Sequence, residues 1–152
     1  MLVYRIGRTK YANDLTGEGA RLYGGRWNHK LVPCIYTSES RALALLEYTA
    51  NVNIEDIPRA LSITIFEIPE HSTIEIPLSQ LPGNWSLFPT PPSAQEFGSC
   101  LLNDSQYLII RISSAIVPDE FNYLINPKHK LIGNIQILEV KDFVYDVRLK
   151  LK

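Results

Sequence analysis

The sequence predicts an α+β domain of short, largely antiparallel strands. Two observations carry that reading: many short β-rich runs are bounded by Pro, Gly, Ser or Asn, and only two stretches keep a helical period. A chain of 152 residues has room for one domain with a real core, so residues 1–152 are read as a single unit.

Residues 2–6 alternate apolar and polar side chains and predict a first strand. Residues 10–25 are polar and glycine-rich without a period and predict a loop. Residues 33–37 predict a short buried strand. Ser38 is the expected N-cap of a helix over 39–50, with Glu39 at the positive end of its dipole. Residues 60–68 and 73–76 predict strands separated by a turn at 69–72. A turn at 81–84 and a stiff connector at 89–92 lead to Ser93-Ala94-Gln95-Glu96, a capping-box pattern expected to open a helix reaching Leu102. Strands are predicted at 107–112, 123–125 and 135–140, with 143–147 trailing from the last.

Fifteen basic against sixteen acidic residues, with no basic cluster, disfavour nucleic acid as the main partner. No signal peptide and no apolar run of spanning length is present, so the expected compartment is the cytoplasm, with no membrane association. Cys34 and Cys100 are then expected to be reduced and mostly buried. No CxxC motif is present, and no metal site is expected. His29, His71 and His129 stand in polar surroundings and read as surface residues.

The densest chemistry lies between Tyr23 and Glu47. Glu47 shares a helical face with Leu43, Leu46 and Ala50, which places a carboxylate on or near the buried side. Burying an ionised acid demands a partner, so Glu47 is either half of a structural ion pair with Arg5, Arg26 or Arg41, or a functional acid. Arg26 follows Gly24 and Gly25 and precedes Trp27. It suits capture of a phosphate or carboxylate, or else ties a turn to a neighbouring acid. Arg5 interrupts a strand, facing either solvent or a polar cleft. Tyr36 ends a strand, either as a ligand-facing aromatic or as a core tyrosine with a satisfied hydroxyl. A second polar cluster comprises Ser113, Ser114, Asn122 and Asn126-Pro127-Lys128-His129. GxGxxG, Walker, G-x-S-x-G and HExxH motifs are absent, and the buried-strand context of Cys34 argues against a Cys–His nucleophile.

Taken in order, residues 2–6, Gly17 to Asn28, Pro33 to Ser38, Ala42 to Glu47, Leu81 to Trp85, and Ser114 to Pro118 through Asn122 to Pro127 form a string that resembles the RES domain family, named for Arg, Glu and Ser. The family is known as the toxin half of bacterial RES–Xre toxin–antitoxin pairs. The resemblance implies an ADP-ribosyltransferase-like fold, with short strands around an NAD+-binding cleft. It implies cleavage of the nicotinamide–ribose bond of NAD+, as a glycohydrolase, phosphorylase or ADP-ribosyltransferase, with no metal.

It further implies Arg5, Tyr36, Glu47 and Ser114 as catalytic residues, and Arg5, Arg26, Tyr36, Ser114 and Asn126 as NAD+-binding residues. The family's Val-Pro-Ser is Ile112-Ser113-Ser114 here, so Ser113 is the alternative register for the serine. A family proline is replaced by Lys130. The implied partner is an Xre-type antitoxin that occludes the active site, in a homodimer or larger complex. The alternative is a non-catalytic module that binds a nucleotide or peptide in the same cleft.

Overall fold

The computed structural model describes residues 1–150. Among these, seven strands form one sheet in the order β4-β5-β6-β2-β1-β3-β7. They are β1 (Leu2–Arg8), β2 (Ile35–Ser38), β3 (Leu61–Glu67), β4 (Thr73–Glu75), β5 (Ile109–Ser113), β6 (Phe121–Ile125) and β7 (Gln136–Phe143). Three α-helices accompany them: α1 (Glu18–Tyr23), α2 (Arg41–Asn51) and α3 (Pro92–Asp104). All pairings are antiparallel except β4 with β5, where parallel strands need a crossover, and α3 supplies it.

The register assigns the faces. Tyr36, Leu124 and Ile110 stand opposite one another, as do Ser38, Asn122 and Ile112, so one face carries both rows. Ile110, Ile112 and Leu124 on that face pack with Trp27, Ala94 and Leu102, under α3. Farther along it, Ile6 and Ile63 meet Ala44 of α2. The opposite face buries Val3, Ile35, Phe66, Tyr123 and Ile125 in a second core.

The sheet is uneven at its centre. β1 pairs with β3 at every residue from Leu2 to Arg8, but with β2 only at Tyr4 opposite Ser38. Beyond that point the two central strands part.

Several expectations need correction. Residues 10–25 are not wholly loop, because α1 forms within them. Its six residues are too few to show a period, and its cap is not adjacent in sequence: the Asp14 carboxylate accepts from the Glu18 and Thr16 amides. The α2 cap is Ser40, whose hydroxyl accepts from Leu43 N at 3.0 Å, while Ser38 stays in β2 and the Glu39 amide donates to Phe121 O. α3 starts at Pro92 without a side-chain cap; proline presets the helical φ, and Ser93 bonds Asn84 instead of Glu96. β7 is one strand through Phe143. Cys100 is exposed, whereas Cys34 is buried. His129 is nearly buried, its Nδ1 accepting from Leu131 N. No helix among the described residues is long and apolar enough to cross a membrane.

Ser40→Ala removes the α2 cap and should lower unfolding stability by about 1 kcal/mol, read by urea denaturation.

Candidate active site

The parting of β1 from β2 leaves a cleft of about 150 Å³, lined among others by Arg5, Tyr11, Asp14, Gly17, Tyr36 and Thr64. Arg5 lies directly opposite Thr64 on β3. Its guanidinium lies 5.1 Å from the Phe66 ring centroid, and Nη2 donates to Tyr11 O at 2.6 Å and Ala12 O at 3.3 Å. Burial pulls its pKa down to about 10, against the opposing pull of the Asp14 charge, so it stays cationic at neutral pH. Burial alone would raise the Asp14 pKa, but hydrogen bonds from Thr16 and Glu18, together with the Arg5 charge, outweigh it and hold the carboxyl below its usual range.

Tyr36 closes the other side. Its hydroxyl donates to Asn28 Oδ1 at 2.6 Å and accepts from Trp27 N at 2.9 Å. Asn28 is fully buried and its Nδ2 donates to the carbonyls of Ala20, His29 and Val32. This clamp sets the Gly24–Asn28 turn. Gly24 adopts φ 72°, and a Cβ on Gly25 would fall 2.7 Å from the Tyr36 hydroxyl, so both positions require glycine. Burial holds the Tyr36 phenol well above its ordinary pKa. With its hydroxyl committed to the turn, Tyr36 offers the cleft its ring.

Arg26 leaves that turn and donates from Nη1 to Trp85 O at 2.8 Å and Leu87 O at 3.0 Å, fastening the 85–87 segment. Trp27 stacks on Trp85 with ring centroids 6.0 Å apart, and Phe97 meets its edge. Burial lowers the Arg26 pKa, and the nearby Glu47 carboxylate opposes that shift.

Glu47 is half-buried on α2. Its Oε1 accepts from Ser114 Oγ at 2.7 Å and from Asn122 Nδ2 at 2.6 Å. No arginine forms an ion pair with it among the described residues; Arg41 lies over the Tyr4 ring instead. Its other oxygen makes no hydrogen bond among the described residues and is not a buried unpaired atom. Ser114 is fully buried, and its Oγ also accepts from the Ile116 and Val117 amides. Of the two serine registers, the fold brings Ser114 to Glu47, not Ser113.

The structure therefore gathers Arg5 and Tyr36 at the cleft, and Arg26, Glu47 and Ser114 beside it. It does not gather Asn126. That residue is fully buried, with Nδ2 donating to Leu102 O at 2.9 Å and Oδ1 accepting from Lys128 N at 3.1 Å, so its amide ties the end of α3 to the segment after β6. Asn122, which the sequence places only in the second polar cluster, is brought to Glu47 by the fold; an asparagine inside a β-rich run is the signal it offers. Asp14 and Asn28 were also missed, because their roles depend on loop closure. Burial pushes the Cys34 thiol up, which leaves it inert.

Tyr36→Phe strands the Trp27 amide and the Asn28 carbonyl oxygen. It should cost about 1–3 kcal/mol, measured by thermal or urea unfolding.

Comparison with known proteins identifies the fold and the family. The RES domain model matches residues 2–147. The chain is 34% identical over 145 residues to the Prs ADP-ribosylating toxin of Sphingobium sp. (strain YBL2), covering 93% of this chain and 90% of that protein. It is 33% identical over 152 residues to Toxin Res of Yersinia enterocolitica, covering 99% and 100%, and 35% identical over 152 residues to Toxin Res of Pseudomonas putida, covering 98% and 99%. Among solved structures, the M. tuberculosis MbcT–MbcA toxin–antitoxin complex matches with a TM-score of 0.74 at 18% identity, over 93% of this chain and 83% of that one, a likeness of fold. Matched by the family model from its second residue to its 147th, the chain belongs to the RES domain family.

Proposed function

We propose that this chain, acting as one catalytic domain over residues 1–152, is a toxin enzyme that consumes NAD+ by breaking its nicotinamide–ribose bond. The observation that carries the reading is the Glu47 carboxylate, with one oxygen fixed by two donors and the other free of hydrogen bonds among the described residues. The names of its relatives, an ADP-ribosylating toxin and toxins called Res, point the same way.

The chemistry suits these groups. As the C–N bond breaks, its electron pair passes to the nicotinamide nitrogen and neutralises the ring, while positive charge develops at the ribose C1 and ring oxygen. The free Glu47 oxygen stabilises that charge or holds a ribose hydroxyl, and Ser114 keeps the carboxylate aimed. The Tyr36 ring faces the cationic nicotinamide before cleavage. Arg5 and Arg26 have guanidinium nitrogens beyond those bound to carbonyls, and these take the pyrophosphate oxygens. The enclosed part of the cleft, about 150 Å³, is smaller than the roughly 300–1,000 Å³ of pockets that enclose drug-sized ligands. One end of the dinucleotide therefore enters it, and the rest lies over open surface.

The acceptor at C1 is water, phosphate or a protein side chain, whichever the cleft admits once nicotinamide has left. An Xre-type antitoxin that covers the cleft silences the enzyme in the cell.

The test is release of free nicotinamide from NAD+ by purified, folded protein, with analysis of the ADP-ribosyl product. Glu47→Gln should lower release at least about 100-fold while retaining the fold and NAD+ binding. Arg26→Ala should raise KM by about tenfold or more. Expression of the wild-type chain should deplete cellular NAD+ and stop growth, and Glu47→Gln should do neither. A folded, antitoxin-free sample that leaves NAD+ intact would overturn the proposal, and tight NAD+ binding indifferent to Glu47→Gln would replace it with a binding module.

A further inference from the structure

Ser114 is not the only group that holds Glu47. Resting on the reading of Glu47 as the catalytic carboxylate, we infer that Asn122, itself oriented by Ser38, is a positioning residue that decides which Glu47 oxygen faces the substrate.

Ser38 on β2 and Asn122 on β6 stand directly opposite each other, on the sheet face that carries Tyr36 and Leu124. The Ser38 hydroxyl donates to Asn122 Oδ1 at 2.7 Å, and Asn122 Nδ2 donates to Glu47 Oε1 at 2.6 Å. An ionised carboxylate only accepts, so the amide must present its NH2 there, and the Ser38 hydroxyl completes the other end by donating. Ser38 is 4% exposed, which keeps water from competing.

The two donors to Oε1 are anchored independently. Ser114 is fixed by the Ile116 and Val117 amides in the turn after β5, and Asn122 is fixed within β6 and through β2. With one donor alone the carboxylate pivots about that bond, and its two oxygens exchange places. With both, Oε1 is pinned and Oε2 is kept for the substrate. Because Ser40 caps α2, the Ser38 hydroxyl is free for the amide.

The experiment measures kcat and KM for nicotinamide release in Asn122→Ala and Ser38→Ala, together with the side-chain amide protons in ¹⁵N–¹H spectra. Asn122→Ala should lower kcat about 10- to 100-fold with KM changed less than about threefold, and Ser38→Ala should lower kcat in the same sense by less. In the wild-type spectrum the Asn122 NH2 should show one strongly downfield proton that moves upfield in Glu47→Gln. An unchanged kcat in both variants, a loss confined to KM, or an amide resonance indifferent to Glu47→Gln would overturn the inference. Should Asn122→Ala fail to fold, Ser38→Ala, which deletes one hydroxyl, decides the kinetic question. If the wild-type protein releases no nicotinamide, the functional reading fails, while the amide resonance still tests the positioning.

Discussion

Everything at the candidate site follows from two neighbouring strands that share one pair of residues and then separate. β1 and β2 meet at Tyr4 and Ser38, and each is otherwise held by its outer neighbour, β3 or β6. A sheet opened at its centre exposes backbone and side chains that a closed ladder would cover, and these must find partners. The segment after β1 folds into the opening and gives the Tyr11 and Ala12 carbonyls to Arg5, and the Gly24–Asn28 turn closes the other side through the Tyr36 hydroxyl. The gap stays open because both walls are hydrogen-bonded to their own linings.

The charges at the gap and beside it are under-compensated. Arg5 is desolvated but hydrogen-bonded to neutral carbonyls, Arg26 likewise, and Glu47 to an alcohol and an amide. A fold selected for stability alone would pair these groups or replace them with apolar ones, since unpaired buried charge is costly. Held apart, each keeps part of its hydrogen-bonding capacity unused within the chain. Such an arrangement sacrifices stability for preorganisation.

Much of this was legible in the chain. The strands and two of the three helices came from periodicity. Glu47 stood out as an acid on an apolar helical face, and Arg26 and Tyr36 stood out as a guanidinium beside two glycines and an aromatic at a strand end. What escaped were features settled at a distance. Helix α1 depends on Asp14, four residues ahead of its first residue, and not on an adjacent cap. The choice between Ser38 and Ser40 as the α2 cap turns on a strand pairing with β6 that no local window contains. Asn126 and Asn122 look alike in sequence, both at β-rich positions. Only the register places Asn122 under Glu47 and leaves Asn126 against the end of α3.

The aromatic stack beside Arg26 has an optical consequence. The chain has two tryptophans, and Trp27 and Trp85 are both committed to that stack, with Trp27 adjacent to Arg26 in sequence and the Trp85 carbonyl bound to its guanidinium. Intrinsic indole emission therefore originates at one corner of the molecule. A ligand or partner that draws Arg26 away from the 85–87 segment changes the environment of both fluorophores at once, so the unlabelled protein carries its own reporter of events at Arg26.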